Sequence, residues 1–104
     1  MERIAFKMKL NEGCAAEYKK RHDNIWPELC LLLKDSGVSD YSIFFDEDTH
    51  TLVAILKAED AAILSEMPKS ELTRRWWKHL SDIMESNADG SPVITPLTEI
   101  FYLP

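Results

Sequence analysis

The segment Thr51-Leu-Val-Ala-Ile-Leu-Lys57 constrains this chain more than any other. It is rich in β-branched and aliphatic residues, and its apolar side chains fall at both odd and even positions. Successive residues of a strand point to opposite faces. Such a strand therefore needs a neighbour on each edge and cover on each face. A chain of 104 residues is long enough for one domain and too short for two. The fold must then bury 51–57 inside one small sheet.

The rest of the chain supplies the neighbours. Residues 3–10 alternate: Ile4, Phe6, Met8 and Leu10 fall on one face, Arg3, Ala5, Lys7 and Lys9 on the other, which predicts a strand. Residues 13–22 read as a helix with Cys14, Tyr18 and His22 on one side. Pro27 bends the chain near Trp26 and starts a second helical piece, which Gly37 stops. Residues 40–46 pair with 51–57 across the polar turn Asp46–His50. In 40–46, Tyr41, Ile43 and Phe45 share a face and Phe44 takes the other. A short helix over 60–67 ends at Pro68, and Ser70 caps a longer one over 71–85. Residues 86–96 read as a loop and Leu97–Leu103 as a last strand.

The order β-α-β-β-α-β predicts a ferredoxin-like α+β sandwich with an antiparallel sheet, spanning residues 1–104 as a single domain. Both main helices then cover one sheet face. Phe44 and the doubly apolar 51–57 strand cannot turn all their apolar surface to that side. A second copy of the chain is the cheapest cover for the other face, which predicts a homodimer built as a dimeric α+β barrel. Ile100-Phe-Tyr-Leu103 ends the chain without a polar tail and predicts close dimer contact there. Whether the last strand pairs within its own subunit or crosses to the other stays open.

Charge excludes some partners. The chain has 12 Lys and Arg against 18 Asp and Glu, a formal net charge of −6. A nucleic-acid module needs a basic face, so no nucleic-acid partner is expected. The same balance disfavours an anionic membrane surface, and no apolar run approaches the length of a membrane span. Lys7 and Lys9 interrupt the N-terminal apolar residues, which argues against a secretory leader. Cys14 and Cys30 would lie roughly 24 Å apart along a continuous helix, beyond disulfide reach. Both are expected to be reduced, in a cytoplasmic protein. No paired-Cys metal site, Gly-rich phosphate loop or serine-nucleophile motif is present. The chemistry left is proton transfer without metal or cofactor.

His22 is the first candidate for it, since an imidazole titrates near neutrality. The end of its helix and the adjacent Asp23 are expected to favour its protonated form. Tyr18, one turn earlier, could orient a ligand or simply pack its ring. Tyr41 reads by itself as core or rim. Trp76 and Trp77 point about 100° apart on a helix, so one is expected in the core and the other on a pocket, where flat rings stack on sugar C–H faces. His50 in its turn, His79 beside Lys78 and Ser81, the Arg74–Arg75 pair, Glu28 in a first helical turn and the acidic turn 46–48 read as surface features.

Four segments together resemble one family. They are Tyr18-Lys-Lys-Arg-His22-Asp-Asn-Ile-Trp-Pro-Glu-Leu29, Tyr41-Ser-Ile43, Arg75-Trp-Trp-Lys78 and Phe101-Tyr-Leu-Pro104, with the Asn-x-Asp-x-Ser-Pro loop at 87–92. Their order and spacing are similar to those of the L-rhamnose mutarotases along essentially the whole chain; only about 58–73 carries no motif of the family. The resemblance implies a dimeric α+β barrel and an isomerase that interconverts the anomers of free L-rhamnose. It implies that His22 is the proton donor and that Tyr18, Tyr41, Trp76 and Trp77 bind the sugar. Anomer exchange needs a proton on the ring oxygen and one taken from the anomeric hydroxyl, which an acid/base near pH 7 supplies. The base is left open between a Tyr, a water and His22 itself. Competing readings are a monooxygenase or cyclase on the same fold and a sugar-binding dimer without catalysis.

Overall fold

In the structure, a computed structural model that describes residues 1–104, the alternating N-terminal segment forms β1 (Glu2–Lys9). It is followed by α1 (Ala15–Asp23), α2 (Pro27–Asp35), β2 (Val38–Asp46) and β3 (Thr51–Ala58). Then come α3 (Ile63–Glu66), a 3-10 turn (Met67–Lys69), α4 (Glu71–Leu80) and β4 (Thr95–Leu97). The sheet is antiparallel with strand order β2-β3-β1-β4. This is an α+β fold with the strand order of the ferredoxin-like sandwich. The doubly apolar strand β3 lies inside, between β1 and β2, as its composition requires.

The core sits between the sheet and the helices. Ile4, Phe6 and Met8 of β1 line up with Leu56, Ala54 and Leu52 of β3, and Leu10 just beyond β1 with Tyr18, Leu29, Trp76 and Leu80 of the helices packs with them. Leu52 and Leu56 are the largest side chains that are fully enclosed. The opposite sheet face carries Arg3, Ala5, Val53 and Ile55, and Phe44 stands there 61% exposed.

Local chemistry fixes the joints. Trp26 is extended (φ −62°, ψ 129°), as the residue before a proline must be, and Pro27 opens α2. Gly37 takes φ +89° just beyond that helix, a conformation L side chains rarely adopt. The Ser70 hydroxyl accepts the Thr73 N–H at 3.3 Å, the expected cap of α4.

Two boundaries differ most from the sequence reading. α4 stops at Leu80 rather than 85. The backbone beyond it pairs with the end of β1 instead: Asn11 N–H donates to Ile83 O at 2.8 Å and Glu85 N–H to Lys9 O at 2.9 Å. Ile83 and Met84 are buried, but from a turn. The last strand covers Thr95–Leu97, not Leu97–Leu103. Leu97 pairs with Ala5, so the residues after it would face Ile4, Arg3 and Glu2, where β1 ends. The tail outruns its own sheet. Arg3 contacts it, through Glu99 at 3.6 Å and the face of the Tyr102 ring at 3.7 Å. Ile100, Phe101 and Leu103 are left 94%, 78% and 77% exposed.

A bulge in β2 matters for the site. Ser39 pairs with Lys57 and Ser42 with Ile55, so Asp40 and Tyr41 together oppose one residue of β3. Asp40 takes φ +48°. The extra residue switches the side-chain alternation, so that Val38 and then Tyr41, Ile43 and Phe45 all meet the helix side. Asp40→Gly is expected to leave stability close to unchanged, and Asp40→Val to cost about 1–3 kcal/mol. Urea unfolding checks this; a valine tolerated as well as glycine would mean that the left-handed backbone is not required.

Candidate active site

A cavity of about 760 Å³ opens between the helices and the β2 end of the sheet. It falls within the range of small-molecule sites. Tyr18, His22, Tyr41, Trp76 and Trp77, singled out in the sequence, all line it. They come from three elements: α1, the bulged end of β2, and α4.

α1 sets the first pair. Tyr18 and His22 are one turn apart, with ring centroids 4.2 Å from each other. The His22 Nδ1–H donates to the Tyr18 carbonyl oxygen at 3.0 Å. This bond puts the proton of the neutral ring on Nδ1 and leaves Nε2 with its lone pair and no partner in the chain. The Trp76 ring meets His22 edge-on at 5.4 Å. Trp26, which the sequence marked only as the site of a bend, backs Trp76 at 5.1 Å. Exposed His79 tilts against both tryptophans at 5.8 and 5.6 Å, closer to the site than a surface reading allowed. The signal for this cluster was the density of aromatic and His side chains at 18–26 and 76–79.

One Trp of the pair is core and the other lines the cavity, as expected, but the core member lines it too. Trp76 is buried in the core and also borders the cavity, while half-buried Trp77 borders it from beside. A residue on the boundary between core and pocket serves both.

The electrostatics of His22 also differ from the sequence reading. Burial dominates and pushes the imidazole below its usual pKa, while the Tyr18 carbonyl and Asp23 pull the other way and lose. Asp23 is exposed and already paired with Lys19 at 2.8 Å, which weakens its pull. His22 is therefore a neutral ring near pH 7. Burial raises the Tyr18 hydroxyl well above its normal value, with the nearby Tyr41 adding to the shift. Burial also pushes Tyr41 up to about 12. Both phenols stay protonated at neutral pH, so each offers the cavity an O–H donor.

Nothing here is arranged for a metal: no group of three or more His, Cys, Asp or Glu side chains converges. The acidic turn is spent on itself, since Asp46 accepts from Asp48 N–H at 3.1 Å and from the Thr49 hydroxyl at 2.9 Å. Cys14 and Cys30 are unpaired. No helix is long and apolar enough to cross a membrane.

With this geometry in view, the chain can be set beside known proteins. A model of the L-rhamnose mutarotase family matches residues 3–103. An L-rhamnose mutarotase of Formosa agariphila is 52% identical over 103 residues, 99% of each chain. One from Leptothrix cholodnii is 54% identical over 102 residues, 98% of this chain and 96% of the relative. A crystal structure of L-rhamnose mutarotase from Formosa agariphila superposes with a TM-score of 0.93 at 51% identity, with all of both chains covered.

Proposed function

The chain belongs to the L-rhamnose mutarotase family, and on that footing we propose that it interconverts the α and β anomers of free L-rhamnose with His22 as the proton carrier. It is an isomerase of the epimerase type. The observation that carries the assignment of His22 is its unpartnered Nε2, on a neutral ring, in an aromatic-walled cavity.

The chemistry follows from that nitrogen. Nε2 takes the proton from the anomeric hydroxyl and, as imidazolium, gives it to the ring oxygen. Both oxygens are bonded to the same carbon, so one nitrogen can reach each in turn. The C1–O5 bond breaks, leaving an aldehyde and a free hydroxyl. The aldehyde end rotates about C1–C2. The reverse proton transfers close the ring on its other face. No electrons leave or enter, and no cofactor is required. A low pKa helps the second transfer, because a destabilised imidazolium is a stronger acid. Tyr18 and Tyr41 donate hydrogen bonds to sugar hydroxyls. Trp76 and Trp77 supply flat faces for the C–H side of the ring and for the methyl group of a 6-deoxy sugar.

The test is proton NMR saturation transfer between rhamnose anomers, with and without protein, beside L-fucose, L-mannose and D-glucose. Faster exchange for rhamnose is expected. Faster exchange for another sugar alone would move the substrate, and binding without acceleration would leave a sugar-binding protein. The pH profile follows from the direction of the His22 shift. A resting imidazole accepts the anomeric proton only when neutral, so kcat/KM should rise with pH through an inflexion below 6.5 and stay flat across neutrality. A profile that instead falls as pH rises through that region would make the resting form an imidazolium donor.

We further propose a homodimer with the sheets face to face. The uncovered Phe44 and Ile55 and the tail that outruns its own sheet support it. A monomer mass at micromolar concentration would sink it. The two free thiols suit a cytoplasmic location; recovery in a secreted or periplasmic fraction would overturn that.

A further inference from the structure

Arg21 stands next to His22 but points away from the reaction, and it is the most heavily bonded side chain in the molecule. Its Nε donates to Glu17 Oε2 at 2.8 Å, one turn back on α1. Its Nη1 donates to the backbone carbonyl of His79 at 2.5 Å and to Asp82 Oδ1 at 2.7 Å, and its Nη2 to Asp82 Oδ2 at 3.2 Å. The side chain is only 16% exposed. Hydrogen bonding to Arg21 holds both the Glu17 and the Asp82 carboxyl below the usual carboxylate range.

The partners are what give this geometry meaning. His79 is in the last turn of α4, and its carbonyl is one of those a helix leaves without an internal partner. Asp82 lies in the turn that follows. Arg21 therefore caps α4 and clamps it, through a fork that matches the carboxylate, to the helix that carries His22. Trp76 sits one turn before His79 on the clamped end, and its ring stands nearly perpendicular to that of His22 with the centroids 5.4 Å apart. Few other polar contacts tie α1 to α4.

We infer that Arg21 is a positioning residue for this site: with Asp82 and the His79 carbonyl it fixes the distance between α1 and α4, and so holds the His22 nitrogen against the Trp76 wall. The inference rests on the mutarotase reading for its kinetic consequence, not for its structural one. A lysine cannot replace the fork, since it is a point charge without the planar pair of donors. Misplacement of a proton carrier by a fraction of an ångström is costly even when every reacting group is present.

The experiment uses the full chain with Arg21→Met, Arg21→Lys, Asp82→Asn and the Arg21→Met/Asp82→Asn double variant. Two quantities are read: the rate of rhamnose anomer exchange, and the NMR titration and ring-current shift of the His22 imidazole. Arg21→Met is expected to lower kcat about 10- to 100-fold, with a smaller change in KM. It should move the His22 resonance away from the position that the Trp76 ring current gives it and its inflexion up towards 6.5. Arg21→Lys should recover only part of the rate. Asp82→Asn should act in the same direction from a second, exposed position, and the double variant should lose less than the two single losses combined. A folded Arg21→Met with wild-type exchange and an unmoved His22 resonance would overturn the inference. So would a set of variants that lose thermal stability alone while kcat and the His22 shift stay put. If the wild-type protein exchanges no sugar, the function is wrong, and the His22 resonance still decides the role of Arg21.

Discussion

Replacing His22 with asparagine should remove nearly all catalysed anomer exchange, a drop of about 10²–10⁴-fold. That is roughly 3–5 kcal/mol of barrier. The loss should fall on kcat, because the aromatic walls and both phenols stay in place. Asparagine is the informative replacement. Its side-chain amide can still donate to the Tyr18 carbonyl that now accepts from Nδ1 at 3.0 Å, so the helix turn keeps its contact while the titrating nitrogen is gone. His22→Ala should be as inactive and is the cruder control. Saturation-transfer NMR with rhamnose, beside circular dichroism of each variant, makes the measurement. A folded His22→Asn protein with exchange near the wild-type rate would remove His22 from the chemistry and leave a bound water between the phenols as the remaining carrier.

Trp76→Ala should be the most damaging single change in this region, and in a different way. Trp76 is 6% exposed and touches His22, Trp26 and His79. Truncating a buried Trp leaves a void that close-packed neighbours fill only in part, at about 3–5 kcal/mol. That is a large share of the stability of a chain of this size. Urea unfolding should show the midpoint fall steeply, with activity lost along with it. Trp77→Ala is the contrast. Trp77 is half-buried and packs at the margin of the core, so its loss should cost less stability and appear mainly as a higher KM. Equal destabilisation by the two replacements would mean that Trp77 is core and not wall.

How much of the fold is legible in the sequence depends on where each competing force lies. The strands β1 and β3 were legible because alternation and double-sided apolarity are properties of neighbouring residues. So were the break at Trp26–Pro27 and the Ser70 cap. The early end of α4 was not legible, because the residues that stop it, Lys9 and Asn11, lie more than 70 positions away and compete for the same backbone groups. The last strand was overextended for a related reason. Alternation in 97–103 says that those residues could pair, and says nothing about where β1 runs out. At the site, the sequence brought forward five of the side chains that line the cavity, but not their balance of forces. Asp23 and the helix end are visible beside His22 in the chain. The burial that outweighs them comes from the folded packing, in which Trp76, 54 residues on, meets the imidazole. The clamp by Arg21 was hidden likewise, as an arginine in a basic run gives no sign that Asp82 is its partner.

The hydrogen bond from the His22 ring to its own helix has one more consequence. Many acid/base histidines are oriented by a carboxylate from elsewhere in the fold, so that changing either partner disturbs the proton chemistry. Here the orienting group is a main-chain carbonyl four residues back, which no substitution can remove while the helix persists. The other side chains singled out on the cavity wall come from β2 and α4 as well as α1. The tautomer of His22 is thus fixed within α1, while its burial depends on its neighbours: a change in the walls would leave the proton on Nδ1 and move the pH at which the ring titrates.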